Sequence, residues 1–194
     1  MPKVTKKISL KLPPIEAYLL IKQSVLMATV NLRIFRKLVL GNRRRMKSFL
    51  TLLEKKAPKG LQEFRVEADK QVWQRTDCLD CANCCKTMSP TYTKEDIRRI
   101  SRHLGMSEAA FKEKWLYKDK TGDWMNVKQP CQFLDLKTNM CDIYAVRPRD
   151  CAGFPHHNTK KMNADYMHMY KQNIEYCPAT YRLVMTVMEK FNGG

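Results

Sequence analysis

Eight cysteines are the residues of this sequence whose type and spacing point most directly to chemistry. Four of them form the run Cys78-x2-Cys81-x2-Cys84-Cys85. Two intervening residues allow a tight turn to direct both flanking thiolates at one ion or cluster. No cysteine has an obvious local base, so a catalytic thiol is poorly supported. The pattern predicts metal binding through thiolates, and the candidate ligands are Cys78, Cys81, Cys84, Cys85, Cys131, Cys141, Cys151 and Cys177.

The repeated two-residue spacing favours an iron–sulfur cluster, in particular a 4Fe-4S cluster, over zinc. Bacterial ferredoxins carry a C-x2-C-x2-C run and a further cysteine that precedes proline, and Cys177-Pro178 has that form here. Zinc sites more often combine separated cysteine pairs, or one pair with histidines. Because Cys85 departs from the ferredoxin pattern, zinc stays open as the alternative.

Eight thiols are enough for two four-thiolate sites, or for one cluster with spare cysteines. The side chains of adjacent Cys84 and Cys85 project in different directions, which argues against both serving one ion in the same way. One division of the ligands gives a first set of Cys78, Cys81, Cys84 and Cys177, and a second set of Cys85, Cys131, Cys141 and Cys151.

Three polar residues near Cys151 are further candidates. His156 and His157 could ligate a metal or supply a proton, although two exposed loop histidines are the simpler interpretation. Arg147, beside Pro148, could offset the negative charge of thiolates or cap a turn through hydrogen bonds.

The sequence also bears on the cellular compartment. The longest uncharged run in the apolar N-terminal region, residues 23–32, has ten residues, whereas a membrane-spanning helix needs about twenty. The first residues are basic but lack an apolar stretch before a cleavage site, which argues against a secretory signal. We therefore expect no transmembrane segment, a cytoplasmic location and reduced cysteines.

The positive charge is concentrated before the cysteines. The whole chain has 36 Lys and Arg against 19 Asp and Glu, a net charge of +17, and residues 1–77 alone carry 18 against 6, or +12. We expect a basic helical region over 1–76 and a cysteine-cluster domain over 77–194. The basic side chains could bind nucleic acid or an acidic partner or an anionic membrane surface, or they could simply be solvated. These residues are Lys22, Arg33, Arg36, Lys37, Arg43, Arg44, Arg45 and Lys47.

Periodicity and turn signals predict a mainly α fold with a small β-hairpin. Apolar residues at helical spacing predict a helix over 15–40 that ends at Gly41-Asn42, followed by helices over 44–56 and 61–75. Thr93 and Asp96 form a capping-box pattern that opens a helix to residue 103, and Ser107 can cap the next helix. The hairpin is expected where residues 131–134 and 140–143 flank a polar turn. The last two helices are expected over residues 159–175 and 178–191.

Together these motifs resemble the CxxCxxCC family of zinc- or iron-chelating proteins, also called the YkgJ-like family. The resemblance covers about residues 76–180 and adds three segments to the cysteine run: Pro130-Cys131-x-Phe133-Leu134, Cys141-x-Ile143-Tyr144-x-x-Arg147-Pro148-x-x-Cys151, and Phe154-Pro155. Ala82-Asn83 stands where glycine is frequent in the family, and Ala152 where arginine often follows. Neither difference removes a ligand.

Two functions are compatible with these observations. In the first, the protein holds an iron–sulfur cluster or zinc as a structural or regulatory element and acts as a partner-binding module. In the second, the cluster supports redox chemistry or protein-lysine methyl transfer, as the similar domain of a flagellin lysine methylase implies. The sequence carries no recognisable S-adenosylmethionine-binding loop, which favours the first.

Overall fold

The computed structural model describes residues 30–191 and is mainly helical, which confirms the predicted fold class. The α-helices are α1 (Leu32–Lys55), α2 (Leu61–Trp73), α3 (Cys78–Cys81), α4 (Asn83–Thr87), α5 (Lys94–His103), α6 (Glu108–Trp115), α7 (Arg149–Gly153), α8 (Met167–Asn173) and α9 (Pro178–Phe191). Short 3-10 turns cover Tyr144–Val146 and Ala164–Tyr166, and the strands are β1 (Thr91–Tyr92), β2 (Leu116–Lys118) and β3 (Trp124–Asn126).

Helix α1 runs without a break through the point where the sequence predicts an end. The predicted stop at Gly41 was wrong because Val39 and Met46, on either side of it, are both buried in one core. A helical glycine costs about 1 kcal/mol, less than the roughly 1.5–3 kcal/mol gained by burying one large apolar side chain. Asn42 also donates its amide to the hydroxyl of Tyr181 at 3.0 Å. The predicted helix start at residue 15 lies outside the described residues.

Helices α1, α2, α8 and α9 form the first hydrophobic core. Their buried side chains include Met46 and Leu50 from α1, Tyr170 from α8, and Leu183 and Val184 from α9. Segments on both sides of residue 76 therefore share one core. The domain boundary at that residue stays a prediction.

A second, smaller core lies under the sheet and brings in two of the cysteine segments. The capping box of α5 is present as predicted, and Ser107 caps α6 through the backbone N–H of Ala110. Partly buried Cys131 and Cys141 pack against this second core, whose buried members are Tyr92, Ile97, Ile100, Phe111, Leu116, Phe133 and Ile143.

The three strands are antiparallel in the order β1-β3-β2, and β2 and β3 form a hairpin between residues 116 and 126. The hairpin predicted around residues 131–143 is present in minimal form, with one antiparallel bridge between Leu134 and Cys141. The N–H of Asp135 donates to the carbonyl of Met140 and that of Asp142 to the carbonyl of Phe133, both at 2.9 Å. Asp135 turns the chain between the two arms by accepting from the N–H of Lys137 at 2.8 Å.

Of the two helices predicted at the C-terminal end of the chain, only the last has the predicted bounds. Helix α9 has the predicted bounds, whereas the preceding helix begins at Met167 after a 3-10 turn. Among the described residues, no helix combines the length and the apolar character needed to cross a membrane.

Candidate metal centre

Two very short helices present the cysteine run. Asp77 caps α3 by accepting from the N–H of Leu79 at 2.8 Å, and α4 follows after a single residue, Ala82. Ala82 has φ = 44°, in the left-handed region, which a residue with a Cβ adopts at a cost of about 1–2 kcal/mol. This residue interrupts the helix between Cys81 and Cys84, so two separate short helices carry the cysteine run.

Six of the eight cysteines line one cavity of about 210 Å³. One water molecule occupies about 30 Å³ in the liquid, so the cavity has room for a group of several atoms. Cys81 and Cys177 are not among its lining residues, and both are buried, with 6% of each residue exposed. The six lining cysteines are Cys78, Cys84, Cys85, Cys131, Cys141 and Cys151.

Hydrogen bonds join distant segments of the chain around the cavity. The N–H of Cys131 donates to the carbonyl of Cys85 at 2.8 Å, which fixes the second cysteine segment against the first. The amide of Asn139 donates to the carbonyl of Asp80 at 3.1 Å. The sequence pattern did not indicate either contact, because both join segments far apart in the chain.

The side-chain amide of Asn126 donates to the sulfur of Cys131 at 3.3 Å. Backbone N–H groups two residues further along lower the pKa of three thiols, although burial raises the pKa of each overall. Asn83 acts in this way on Cys81, Phe133 on Cys131, and Ile143 on Cys141. Hydrogen bonds to the charged form stabilise a thiolate, and such bonds also tune metal-bound sulfur. This donor set fits thiolate ligands.

Burial opposes the formation of those thiolates in the protein alone. Desolvation raises the pKa of Cys141 and of Cys177, each to about 11, and also raises the pKa of Cys151. Neighbouring thiolates raise the pKa of Cys151 further, Cys85 foremost among them. A bound cation would reverse this preference, because it favours the deprotonated form of a coordinating thiol. A cation bound among these sulfurs would therefore favour their deprotonation.

Cys84 and Cys85 behave differently from the other cysteines. Their sulfurs are 4.0 Å apart and share one hydrogen bond. That bond, together with burial, raises the pKa of Cys84, whereas the same bond lowers the pKa of Cys85 to about 7. Within residues 30–191, no three histidine, cysteine or carboxylate side chains converge closely enough to hold a single ion.

Arg147 makes the turn contact that the sequence suggested for it. Its guanidinium donates to the carbonyl of Tyr144 at 2.7 Å and lies 3.9 Å from the centre of that residue's ring. It also lines the cavity, and its positive charge lowers the pKa of Cys78, although burial and neighbouring negative charges raise that pKa overall.

The two histidines occupy different environments, and the interpretation of both as exposed loop residues was wrong. The Nε2 atom of His156 is 3.1 Å from a carboxylate oxygen of Asp150, which lines the cavity. His157 is buried, with 2% of the residue exposed. The sequence gives no sign of this burial, because the groups that satisfy the His157 ring come from two distant helices.

The chain belongs to the CxxCxxCC family, whose model matches residues 77–178, more than half of the chain, and is described as "Putative zinc- or iron-chelating domain". This confirms the family expected from the cysteine spacing. An uncharacterized protein of Methanocaldococcus jannaschii is 34% identical over 76 residues, which cover 38% of this chain and 41% of that protein. The chain thus matches less than half of this relative's length. No solved structure matches significantly.

Proposed function

We propose that the protein binds an iron–sulfur cluster, with 4Fe-4S favoured, or zinc, through its cysteine thiolates. The observation that carries the proposal is the single cavity lined by six cysteines from three separate segments of the chain. The side-chain amide of Asn126 already donates to the sulfur of Cys131 at 3.3 Å. Cys81 and Cys177, which are buried and do not line this cavity, complete the set of candidate ligands.

The spread of the sulfurs supports a cluster over a single zinc ion. Zinc–sulfur bonds of about 2.3 Å in a tetrahedral site place neighbouring sulfurs about 4 Å apart. In residues 30–191 no three ligand side chains approach one point in that way. In a 4Fe-4S cluster each thiolate binds a different iron atom, so the sulfurs stand further apart. The cavity volume of about 210 Å³ agrees with this larger group.

A structural or regulatory role fits the position of this centre. The cavity lies where the turns of residues 131–151 meet the cysteine run. A metal group bound there would link segments that short hydrogen-bonded turns alone hold together, and binding energy at such a site adds directly to folding energy. When bound, the cluster or ion would supply this cross-link, and a cluster would also supply one-electron redox chemistry.

The deciding experiment is metal and sulfide analysis of protein purified without oxygen, combined with visible absorption. A cluster predicts iron and acid-labile sulfide in equal amounts, with broad absorption that dithionite bleaches. Zinc predicts one or two equivalents of a metal without visible absorption. Folded, monodisperse protein with less than about a tenth of an equivalent of any metal would refute the proposal.

We propose that α1 provides the partner-binding surface, for nucleic acid or an acidic protein. Its basic side chains are exposed, and the single carboxylate within α1, Glu54, pairs with Lys171 at 2.6 Å. Glu175 pairs with Arg43 and Lys47. Six further cations of α1 have no ion-pair partner among residues 30–191. Lys55 lies in the last turn, and we call the other five the basic face: Arg33, Arg36, Lys37, Arg44 and Arg45.

The alternative is a cluster-dependent enzyme that carries out redox chemistry or protein-lysine methyl transfer. One observation favours it: the cavity wall includes the charged side chains of Arg147 and Asp150 beside the thiols. His156 contacts Asp150, so a group able to carry a proton stands next to the cavity. Replacing His156 by Gln should leave the metal content unchanged and abolish turnover if this alternative holds.

A further inference from the structure

The exposed side of α1 contains a glycine that packing within the described chain does not require. Gly41 lies inside the helix and is exposed. A Cβ atom placed on it would meet no atom within 4 Å in the described part of the chain, apart from the backbone of the helix itself. Glycine in a helix interior costs about 1 kcal/mol relative to alanine. An alanine would therefore fit at this position and would stabilise the helix.

The missing side chain leaves a notch in the surface of α1. Residues three and four positions apart are neighbours on a helix surface, so four side chains surround the glycine. We call these positions the Gly41 notch: Lys37, Leu38, Gly41, Arg44 and Arg45. Its three cations belong to the basic face, and all five residues are exposed.

The notch also has an apolar edge. Leu38 is 46% exposed, and Ile34, one turn earlier on the same side of α1, is 47% exposed. Single exposed apolar residues need no explanation. Here, however, two neighbouring apolar side chains adjoin three cations and an open notch. The surface thus offers charge, apolar contact and close access to the helix backbone in one place.

This combination favours one kind of partner over three others. Nucleic acid would pair its phosphates with the cations but would leave Ile34 and Leu38 without an apolar contact. A second copy of the same surface would bring like charges together. A helix that lies on a membrane turns its main apolar face toward the lipid, whereas α1 buries six apolar side chains in the protein core.

We propose that the Gly41 notch receives an acidic amphipathic helix of another protein, which crosses α1 at the glycine. The distance between packed helices depends on the side chains at the contact, and glycine allows the closest approach of another backbone. Carboxylates of the partner pair with the three cations of the notch, and its apolar side chains contact Ile34 and Leu38. The inference rests on the proposed partner-binding role of α1 and names the class of partner.

The test measures binding of the full-length protein to a fluorescent acidic peptide by anisotropy. The peptide repeats the heptad Glu-Leu-Ala-Glu-Ala-Leu-Glu, which places leucines on one side of a helix and carboxylates around them. Gly41→Ala should weaken binding about 10-fold, because the added methyl group separates the two backbones. The same variant should melt at a higher temperature than wild type. Weaker binding by a more stable protein excludes damage to the fold as the cause.

Three further variants keep the charge of the protein unchanged. Leu38→Ser removes an apolar contact and should weaken peptide binding about 5-fold. Leu136→Ser is its matched control, because Leu136 is 60% exposed and lies outside α1. Thr51→Ala raises the helix propensity of α1 without filling the notch, so it controls for the stabilising effect of Gly41→Ala. Both controls should bind the peptide with wild-type affinity.

The remaining outcomes would overturn the inference. Wild-type affinity in Gly41→Ala would mean that no helix approaches α1 at the notch. Tighter binding to a DNA duplex, or to vesicles that contain phosphatidylserine, would assign the basic face to that ligand instead. If neither peptide nor DNA binds at low salt, the partner-binding role of α1 fails as well, whereas the proposed metal centre is unaffected. Should Gly41→Ala not fold, equal peptide affinities of Leu38→Ser and Leu136→Ser would refute the inference.

Discussion

The sulfur atoms show how single residues are prepared for a metal. Cys141 is desolvated, which raises its pKa to about 11, although the backbone N–H of Ile143 acts in the opposite direction and lowers it. Burial alone favours a neutral thiol, whereas a nearby donor favours a thiolate. An environment that combines both suits a sulfur that loses its proton to a metal.

Replacing Cys141 by Ser should remove the metal and destabilise the protein. Serine is close in size, so little cavity forms, and the loss comes from missing coordination. The exposed neighbour Met140 provides the control, since Met140→Ser leaves every thiol in place. Metal content and thermal melting measure both variants. Full metal content in Cys141→Ser would remove this cysteine from the ligand set.

Ala82 permits a prediction at a single backbone position. Its φ of 44° is strained for alanine and unstrained for glycine. Ala82→Gly relieves this strain in the folded state, and the greater freedom of glycine in the unfolded state offsets only part of the gain. The variant should therefore be more stable by about 0.5–1 kcal/mol. Chemical denaturation of the metal-free protein measures the change. A destabilised variant would mean that the buried methyl group matters more than the strain.

At the level of the elements, Asp96 connects a helix cap to the cysteine segments. One carboxylate oxygen accepts from the N–H of Thr93 at 3.1 Å, and the other accepts from the N–H of Arg149 at 3.1 Å. Arg149 begins α7, the helix that carries Cys151. Burial alone would raise the pKa of Asp96, but its hydrogen bonds outweigh burial and lower the pKa. The cap of α5 thus also places a candidate ligand.

Asp96→Asn should lower the free energy of unfolding by about 2–3 kcal/mol at neutral pH, because charge-assisted bonds in a buried site are lost. A lowered carboxyl pKa stabilises the fold above the unfolded pKa near 4, and this contribution disappears as the pH falls through the folded pKa. The deficit of the variant should therefore shrink in acid. Glu95→Gln, on the exposed side of the same turn, is the control, and denaturation at several pH values measures both.

Local signals predicted the elements whose ends are decided locally. The capping box at Thr93 and the bounds of α9 are correct because the deciding groups lie within a few residues. The break at Gly41 was wrong because packing against α8 and α9 outweighs the propensity of one glycine. The cysteine spacing is also a local signal, and it identified the family. The buried network around His157 could not be predicted. Its partners, Asp69 and Thr180, are distant in sequence.

At the scale of the whole molecule, the metal-free protein should lose stability in alkali. Folding raises the pKa of buried Cys177 from 9.0 to about 11. The neutral thiol therefore stabilises the fold fully below pH 9, and that contribution, roughly 3 kcal/mol, is lost as the pH rises through 11. Denaturation of metal-free protein between pH 8 and 11 measures it. A Cys177→Ser variant, which has no thiol to ionise, should show a flatter profile.

The metal-loaded protein should respond to pH in the opposite direction. Protons compete with the metal for thiolates, so the metal is released as the pH falls and the melting temperature falls with it. Metal content after equilibration between pH 8 and 4 measures the release. Loaded protein that keeps its metal at pH 4 would argue against thiolate coordination by these cysteines.

The distribution of charge over the molecule leads to the last prediction, which concerns the basic face. If it binds nucleic acid, each phosphate neutralised releases counterions, and the logarithm of the affinity falls with the logarithm of salt concentration by about 0.9 per contact.

Replacing Arg43, Arg44 and Arg45 by Ser should reduce that slope by up to about 3. Arg43 pairs with Glu175, so a reduction nearer 2 is expected. A variant with Ser at Lys120, Lys128 and Lys137, three exposed lysines outside α1, carries the same loss of charge and serves as the control. Binding titrations at four salt concentrations give the slopes. Equal slopes for both variants would mean that net charge alone drives binding. No binding to DNA or RNA at low salt, with retention on an acidic protein column, would assign the face to the acidic partner instead.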